Sequence, residues 1–429
     1  QGFTEVETPL LWTPTPEGAR EFVVPSRLHP GSTYVLPQSP QIAKQLLMVA
    51  GFDRYYQIAR CLRDEDLRAD RQFEFTQLDL EASFITQRDI MGFITDAVIA
   101  ASEAAGITIS GGIGEITWKD SMDLYGVDKP DMRFGNELID VTQVFAGTSV
   151  RALSAPCLKA LVAPNSTSLT RSRLDALVDR AKGLGAKGLL WLKVVSGAEG
   201  LQLDSPVSKF LSREEANGLI STTLASEGDI ILIVGDVWEK ACQVLGQLRI
   251  DLGRSQADPS EFKYVWVVDF PLFEGVDEDG KLISAHHPFT MPNEDDFSKL
   301  ESDPLSVRSQ SYDLVLNGWE LGSGSIRVHR GDIQSRIFSL LGISEEEANS
   351  RFGFLLEAFT FGAPPHGGFA FGIDRLTALL VGEDNIREVI AFPKTQSGSD
   401  LMTGAPKGIE RKVWDLLGLA VKPGKKDLL

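Results

Sequence analysis

The stretch from residue 54 to residue 84, RYYQIARCLRDEDLRADRQFEFTQLDLEASF, constrains the fold more than any other part of the chain. It predicts two strands joined by a long charged loop. In the second strand the side chains alternate between an apolar face (Leu78, Leu80, Ala82, Phe84) and a polar face (Gln77, Asp79, Glu81, Ser83). A sheet with an apolar face on its core and a row of polar groups opposite indicates the floor of a pocket.

The loop between these strands holds three arginines, Arg63, Arg68 and Arg71, among four acidic residues. A guanidinium group suits phosphate, and neighbouring carboxylates keep it positioned while a site is empty. A charged loop alone is equally typical of a solvated hairpin tip. The polar strand face beside it favours a site.

Length, charge and cysteine usage bound the class of protein. A chain of 429 residues predicts two or three domains, and a net charge of −18 disfavours a generally basic, nucleic-acid-binding surface while permitting a local basic patch. No apolar run is long enough to suggest a membrane partner. Three scattered cysteines and no signal-peptide pattern predict a cytoplasmic protein without structural zinc, and the start of the chain suggests a fragment with an upstream continuation.

A helix is predicted from residue 39 to about residue 50. Ser39 is expected to cap it, Pro40 to occupy its first position and Gly51 to end it. Gln41, Lys44 and Gln45 share one face. That pattern is more typical of a solvated face than of a site.

In its middle third the chain becomes richer in alanine and valine and poorer in aromatic residues. This change in composition indicates an inserted α+β domain at residues 141–253 between two parts of a catalytic domain, 1–140 and 254–429. The segment GLGAKG at 183–188 matches the glycine pattern of dinucleotide sites. It follows a predicted helix and precedes a predicted strand, the reverse of that fingerprint, so we interpret it as a turn.

A second informative hairpin spans residues 312–330, with its turn at Asn317-Gly318. It places Asp313 diagonal to Glu320, an unfavourable pairing unless a cation such as Mg²⁺ lies between the carboxylates. Strict alternation puts Arg327 on the face opposite Glu320. The glycines at 322 and 324 must therefore bulge if both side chains are to line one pocket.

Glycines 367, 368 and 372 precede a helix that carries Arg375. They could admit a flat base with the arginine beside its phosphates, but a tightly packed strand–helix corner is slightly favoured. The adjacent pair His286 and His287 before a proline is more typical of packing than of a metal site.

Together these segments resemble the class II aminoacyl-tRNA synthetases, in particular the bacterial-type aspartyl branch. The resemblance rests on GFTEVETPLL (2–11), the stretch 51–81 and GGFAFGIDRL (367–376), supported by TPEGAREF, LPQSPQ, HHPF and NGWELGSGSIR. It implies an α+β fold, a class II antiparallel sheet flanked by helices with an inserted α+β domain. It also implies a homodimer in the full-length protein and an anticodon-binding domain upstream of this fragment.

The resemblance further implies ATP-dependent activation of L-aspartate with Mg²⁺ and transfer to tRNA(Asp), with tRNA(Asn) left open as a further acceptor. The alternative is a paralogue that uses the same adenylate for another acceptor, as in asparagine synthesis. A non-catalytic descendant is disfavoured because Arg63, Arg375 and the acidic pair are all present.

Site residues follow from the resemblance position by position. Arg63 and Arg375 would be the catalytic arginines. The aspartate site would comprise Glu17, Ser39, Gln41, Lys44, Gln77, Asp79, His286 and Arg327. The ATP site would comprise Arg63, Asp64, Glu65, Gln72, Glu320, Gly372, Ile373, Asp374 and Arg375, and the metal would lie on Asp313 and Glu320. Arg327 and Lys44 would offer two positive charges to a substrate with two carboxylates.

Overall fold

A computed structural model of the chain describes residues 1–14, 19–109, 111–164, 169–198 and 200–420. The strands are β1 (Thr4–Glu5), β2 (Val23–Pro25), β3 (Thr33–Val35), β4 (Arg54–Leu62), β5 (Glu74–Ser83), β6 (Gly114–Thr117), β7 (Ile139–Asp140), β8 (Cys157–Ala163), β9 (Leu190–Gly197), β10 (Gly200–Asp204), β11 (Ile230–Asp236), β12 (Tyr264–Val268), β13 (Phe273–Val276), β14 (Leu282–Ser284), β15 (Ser311–Leu316), β16 (Trp319–Ile326) and β17 (His366–Gly372).

The helices are α1 (Gln41–Val49), α2 (Gln87–Ala104), α3 (Trp118–Tyr125), α4 (Arg171–Gly183), α5 (Arg213–Thr223), α6 (Trp238–Gly253), α7 (Gly331–Leu340), α8 (Glu345–Thr360), α9 (Ile373–Leu380) and α10 (Arg411–Leu417). Helices and strands thus both contribute, and the predicted α+β class is confirmed. Within the described ranges no helix is both long and apolar enough to cross a membrane.

The chain forms two compact units. Unit 1 comprises Gln1–Gly112, Asp269–Asp313 and Leu321–Leu429, and unit 2 comprises Ile113–Val268 and Leu314–Glu320. The division predicted from the sequence, at 140/141 and 253/254, stays a prediction.

Unit 1 is built on a sheet in which β1, β4, β5, β17 and β16 are neighbours in that order. The short strand β1 lies at the edge, parallel to β4, and the other pairs are antiparallel. This edge strand is only two residues long, although the segment GFTEVETPLL runs on to Leu11. Pro9 removes a backbone donor, which limits its extension.

The 54–84 hairpin forms as predicted. Strands β4 and β5 pair in continuous register from Arg54 opposite Ala82 to Leu62 opposite Glu74. The prediction that Phe84 continues the apolar face of this strand is wrong. Its side chain is 76 % exposed and its φ is +56°, so the strand alternation ends at Ser83. The apolar face of β5 is otherwise buried at Leu80 and Ala82.

The helix that follows Ser39 differs from the prediction at its start. Gln41 is the first residue of α1, Pro40 stands at the cap position, and the Ser39 hydroxyl accepts a hydrogen bond from the Gln41 amide at 3.3 Å. Proline has no amide hydrogen to place, which fits it to this boundary. Gly51 follows the helix with φ +94°, as expected of a stop.

Aromatic side chains pack α1, α7 and α8 together in unit 1. Ile42, Phe289, Phe338, Phe352 and Leu355 form one buried cluster. The Phe289 and Phe352 rings meet edge to face at 5.0 Å between centroids. This packing buries the side of α1 that carries Ile42. The polar residues Gln41, Lys44 and Gln45 of the same helix are buried as well.

Unit 2 contains an antiparallel sheet in the order β10, β9, β11, β8, β7 and a parallel pair, β6 with β12. Two apolar clusters cover the two faces of the five-stranded sheet. One includes Leu161, Leu174 and Leu245, and the other includes Leu158 and Leu219. The GLGAKG segment begins at the last residue of α4, and its remaining residues lie between α4 and β9, which confirms that it is a turn.

Candidate functional site

The polar face of the unit 1 sheet carries four buried charges, Lys44, Asp79, Glu81 and Arg327, here called the four-charge cluster. The Lys44 ammonium lies 3.0 Å from Asp79 and 3.2 Å from Glu81. Arg327 donates from Nε and Nη2 to the two oxygens of Glu81, at 3.0 and 3.3 Å. Each of these residues is less than a tenth exposed.

Sequence and register explain this arrangement. Asp79 and Glu81 alternate on β5, and Ala370 and Gly368 stand opposite them on β17. Gly368 is required here, because the Glu81 carboxylate occupies the space in which a Cβ atom of residue 368 would lie. The two cations come from the first turns of α1 and from the residue that follows β16.

The solvated face predicted for α1 is wrong. Gln41, Lys44 and Gln45 are 9 %, 1 % and 0 % exposed. Periodicity placed them on one face but could not tell whether that face meets water or a sheet of opposite charge. The two carboxylates of β5 decide the matter.

The charge argument for the substrate also needs correction. Lys44 and Arg327 do not present two unmatched positive charges, because Asp79 and Glu81 already neutralise them. Glu81 had no role assigned from the sequence, although its position two residues after Asp79 on the polar face was the signal that could have found it.

The cluster shifts the ionisation of its own members. Burial raises the pKa of Asp79 to about 6, although the Lys44 ammonium opposes this. Burial acts on Glu81 in the same direction, but the Arg327 guanidinium and Lys44 outweigh it and hold the pKa of Glu81 below its ordinary value. Burial, with the charges of Arg327 and Lys44, lowers the pKa of His287 to about 3, so this imidazole is neutral.

Three buried polar atoms in the cluster and on the α1 face beside it lack a hydrogen-bond partner among the described residues: Asp79 Oδ1, the Gln41 side-chain nitrogen and the Gln45 side-chain oxygen. Buried polar atoms in folded proteins are nearly always satisfied, so a carboxylate acceptor and an amide donor left over on these two elements indicate a bound polar ligand. A carboxylate oxygen suits an ammonium group, and an amide nitrogen suits a carboxylate.

Other predicted aspartate-site residues flank this cluster. Gln77, on the same face of β5, accepts from the Cys61 thiol at 3.1 Å. His286 Nε2 lies 3.8 Å from Asp313 Oδ1, and its ring meets the Phe270 ring edge to face at 4.8 Å. Glu17 lies outside the described residues, but Gln38 binds the main chain of Ala19 through two hydrogen bonds of 3.0 Å.

The arginine loop is tied to the rest of unit 1 at its first residue. The Arg63 guanidinium lies over the Phe75 ring at 5.1 Å and donates to the Gln38 carbonyl at 3.3 Å. Asp64 and Arg20 form an isolated bridge, with an ion pair of 3.8 Å between their side chains.

The far end of the loop is tied to two later segments. Gln72 accepts from the Lys394 amide at 2.8 Å. Arg375, in the first turn of α9, donates to the Asp70 carbonyl at 3.3 Å and lies 3.4 Å from its carboxylate. Glu65 pairs with Arg71 at 2.9 Å. Of the predicted ATP contacts, Arg63 thus begins the loop and Arg375 bonds its far end at Asp70.

The start of α9 combines structural and predicted site residues. Asp374 accepts from the Thr76 amide at 2.8 Å, which joins the helix to β5, and Gly372 stands opposite Gln77 just before Ile373 opens the helix. The packed corner favoured from the sequence is present at Gly367 and Gly368, where Ile326 and Glu81 lie in the space that a Cβ atom would need.

The expected bulge at the glycines of β16 is wrong. Strands β16 and β17 pair continuously from Gly322 opposite Phe371 to Ile326 opposite Gly367. The glycines serve instead as points of close approach, because a Cβ atom at 322 or 324 would strike the backbone of β17. Arg327 then follows Ser325 on the polar face and donates to its hydroxyl at 2.7 Å.

Asp313 and Glu320 fall in different units, Asp313 at the end of a unit 1 segment and Glu320 at the end of a unit 2 segment. The turn between them forms as predicted, with φ +51° at Asn317 and +84° at Gly318, a type I′ geometry. In the described part of the chain no group of three or more His, Cys, Asp or Glu side chains is arranged to hold a metal ion.

Comparison with known families identifies the class. The pattern described as tRNA synthetases class II (D, K and N) matches residues 1–396, and the chain belongs to this family. The predicted class II fold is thereby confirmed.

Three relatives of known name are all called aspartate–tRNA ligases. The chain is 49 % identical to an aspartate–tRNA(Asp/Asn) ligase of Geobacillus sp. (strain WCH70) over 99 % of this chain and 73 % of that protein. It is 50 % identical to a protein of the same name from Bifidobacterium longum (strain DJO10A), over 95 % of this chain and 69 % of that protein. An aspartate–tRNA ligase of Bacillus licheniformis is 50 % identical, over 98 % of this chain and 72 % of that protein.

Proposed function

We propose that this chain is an aspartate–tRNA ligase, which activates L-aspartate with ATP and transfers it to the 3′ end of tRNA. Family membership and the names of its relatives support the reaction class. The single observation that carries the amino-acid assignment is the four-charge cluster with the unsatisfied Asp79 Oδ1 and the unsatisfied Gln41 amide nitrogen on α1.

Aspartate fits the cluster group by group. Its ammonium group would donate a hydrogen bond to Asp79 Oδ1. Its side-chain carboxylate would accept two parallel hydrogen bonds from the Arg327 guanidinium, a geometry that suits carboxylates. Because Glu81 already occupies that fork, the substrate would share it or displace Glu81 toward Lys44. Gln77, Ser39, His286 and Glu17 would complete the amino-acid site.

The chemical step would rest on position and charge. An oxygen of the substrate α-carboxylate attacks the α-phosphorus of ATP, the bond to the bridging oxygen breaks, and pyrophosphate leaves with that electron pair. A bound carboxylate is already ionised, so no side chain need remove a proton. Arg63 would offset charge on the α-phosphate and Arg375 charge on the leaving pyrophosphate. Asp64, Glu65, Gln72 and the residues from Gly372 to Asp374 would shape the nucleotide site.

The resemblance assigns Mg²⁺ to Asp313 and Glu320. The carboxylate chemistry of both side chains suits the ion, because one or two carboxylates together with phosphate oxygens are its usual environment beside a nucleotide. When bound, the ion would neutralise charge on the triphosphate. His286, beside Asp313, would help to keep that carboxylate in place.

Aspartate-dependent exchange of pyrophosphate into ATP tests the activation step. We expect exchange with the wild type and a rise in the aspartate KM of at least about 100-fold in Arg327→Leu, because the variant buries the substrate carboxylate without its guanidinium partner and leaves Glu81 with Lys44 alone. The ATP KM should change little. Arg336→Leu is the matched control, since it removes an arginine that pairs with Glu301 outside the cluster. Near-normal exchange in Arg327→Leu would refute the assignment.

Charging assays with purified tRNA test the second step and separate this function from synthesis of asparagine on the same adenylate. We propose tRNA(Asp) as acceptor, tRNA(Asn) as a second acceptor to be assayed in parallel, a homodimer as the working form and the cytoplasm as its compartment. Aspartate-dependent exchange without charging of either tRNA would favour the other acceptor reaction. Sedimentation of the purified protein tests the dimer.

A further inference from the structure

His366, the first residue of β17, is a fully buried histidine to which the reaction assigns no role. Its Nδ1 lies 2.8 Å from the Pro364 carbonyl oxygen, and its Nε2 lies 3.3 Å from the side-chain nitrogen of Gln45. A carbonyl only accepts, so Nδ1 carries the proton. Nε2 is then an acceptor, and the Gln45 amide donates to it. Burial lowers the pKa of His366, which keeps the imidazole in this neutral form.

Two of the hydrogen bonds of His366 lead to residues of the four-charge cluster or next to it. Gln45 directly follows Lys44 on α1. The main-chain oxygen of His366 accepts from the Arg327 amide at 2.9 Å. One residue is therefore bonded to the helix that carries one cation of the cluster and to the backbone of the other cation.

The same strand also positions the anion between these cations. Two residues after His366, Gly368 stands opposite Glu81 and leaves the space in which the Glu81 carboxylate lies. Glu81 contacts both Lys44 and Arg327. A shift of β17 relative to α1 would therefore change the Lys44–Glu81–Arg327 geometry as a whole.

We propose that His366 is a positioning residue for aspartate binding. Its ring holds Gln45, and through it the turn of α1 that carries Lys44, at a fixed distance from Arg327. The inference rests on the proposed function and deepens its aspartate site. Of the substrates, it concerns aspartate alone, because His366 bonds the neighbour of Lys44 and the main chain of Arg327 and none of the arginines assigned to ATP.

Two substitutions of His366 separate its ring contacts. His366→Gln places an amide near the position of Nε2 and can still accept from Gln45, whereas His366→Asn reaches only the position of Nδ1. We expect His366→Asn to raise the aspartate KM in pyrophosphate exchange about tenfold, the usual consequence of one lost buried hydrogen bond, and His366→Gln to raise it less. The ATP KM should stay within about twofold in both.

Gln45→Met tests the other partner, and the double variant tests the coupling. Gln45→Met keeps the shape of the side chain without its donor and should match His366→Asn. In the double variant Gln45→Met with His366→Asn, the rise in the aspartate KM should be little larger than in either single variant, because both substitutions remove the same contact. Gln256→Met is the control. It removes an amide contact within unit 2, to the Leu252 carbonyl at 3.3 Å, and should leave the aspartate KM unchanged.

The outcomes are distinguishable. Equal rises in the aspartate and ATP KM values, additive effects in the double variant, or equal effects of His366→Asn and His366→Gln in folded protein would overturn the positioning role. Thermal unfolding identifies variants that fail to fold, and Gln45→Met then carries the test. Absence of aspartate-dependent exchange in the wild type would refute the proposed function instead.

Discussion

At the scale of single residues, Asp79 shows how burial and pairing compete. Its carboxylate is fully buried and lies 3.0 Å from Lys44, yet its pKa is raised to about 6, so desolvation outweighs the ion pair. Glu81 lies on the same strand face and has two cationic partners, and its pKa is lowered. The second cation makes the difference, because a buried charge is tolerated in proportion to its compensation.

This difference predicts how aspartate binding depends on pH. As the pH falls through about 6, Asp79 takes up a proton and loses its attraction for the substrate ammonium group. The aspartate KM in pyrophosphate exchange should therefore rise below pH 6, while the ATP KM stays flat. Kinetics between pH 5 and 8 measure this, and a flat aspartate KM across that range would contradict it.

The same shift has the opposite sign for stability. The folded-state pKa of Asp79 lies above its ordinary value of 3.8, so the contribution of this group to folding is greatest below about pH 4 and declines as the pH rises through about 6. Asp79→Asn lacks this titration. The difference in unfolding free energy between Asp79→Asn and the wild type should move in favour of the variant from pH 4 to pH 6 and then level off.

At the scale of elements, helices and strands came largely from local rules. The Thr86 capping box begins α2, Ser344 caps α8, and the Asn317-Gly318 turn joins β15 to β16. These signals act within a few residues and are legible in the sequence. The bulge expected in β16 failed for a different reason. Its glycines allow the neighbouring strand β17 to approach closely, and the sequence of one strand does not reveal which strand will be its neighbour.

Helix packing in unit 2 gives a prediction at this scale. Gly246 of α6 meets Gly126, and a Cβ atom at 246 would lie 2.6 Å from the Gly126 carbonyl oxygen. Gly246→Ala gains about 1 kcal/mol in helix propensity but loses about 1–3 kcal/mol to overpacking against backbone that cannot move aside cheaply. We expect net destabilisation in chemical unfolding.

Gly92→Ala is the control for that experiment. Gly92 is an exposed residue of α2, and a Cβ atom there would meet nothing within 4 Å. Only propensity acts, so the variant should be stabilised by about 0.5–1 kcal/mol. If both variants were stabilised, the close approach of Gly126 and Gly246 would not be limiting.

At the scale of the whole molecule, net charge and local charge give opposite indications. The chain carries −18, which repels nucleic acid at long range, yet the arginine loop presents an exposed Arg68. Binding of tRNA by this protein would depend on such local cations, each of which replaces counterions on the phosphate backbone.

Arg68→Glu tests that dependence. We expect slower transfer of aspartate to tRNA and a weaker dependence of charging on salt, because a phosphate contact is lost, with pyrophosphate exchange unchanged. Arg411→Glu makes the same change in net charge at an exposed position of α10. Equal losses in the two variants would show that overall charge, and not the loop, governs charging.

The sequence by itself determined the 54–84 hairpin, the polar face of β5, the Asn317-Gly318 turn, the corner before α9 and the resemblance that family comparison confirmed. Each depends on short-range periodicity, turn chemistry or motif spacing. Only the tertiary structure decided that the face of α1 is buried, that Glu81 pairs with both Lys44 and Arg327, and that Gly368 makes room for it. These facts depend on which segments meet across 35 to about 300 residues of chain, because a buried charge is costly unless an opposite charge from another segment compensates it.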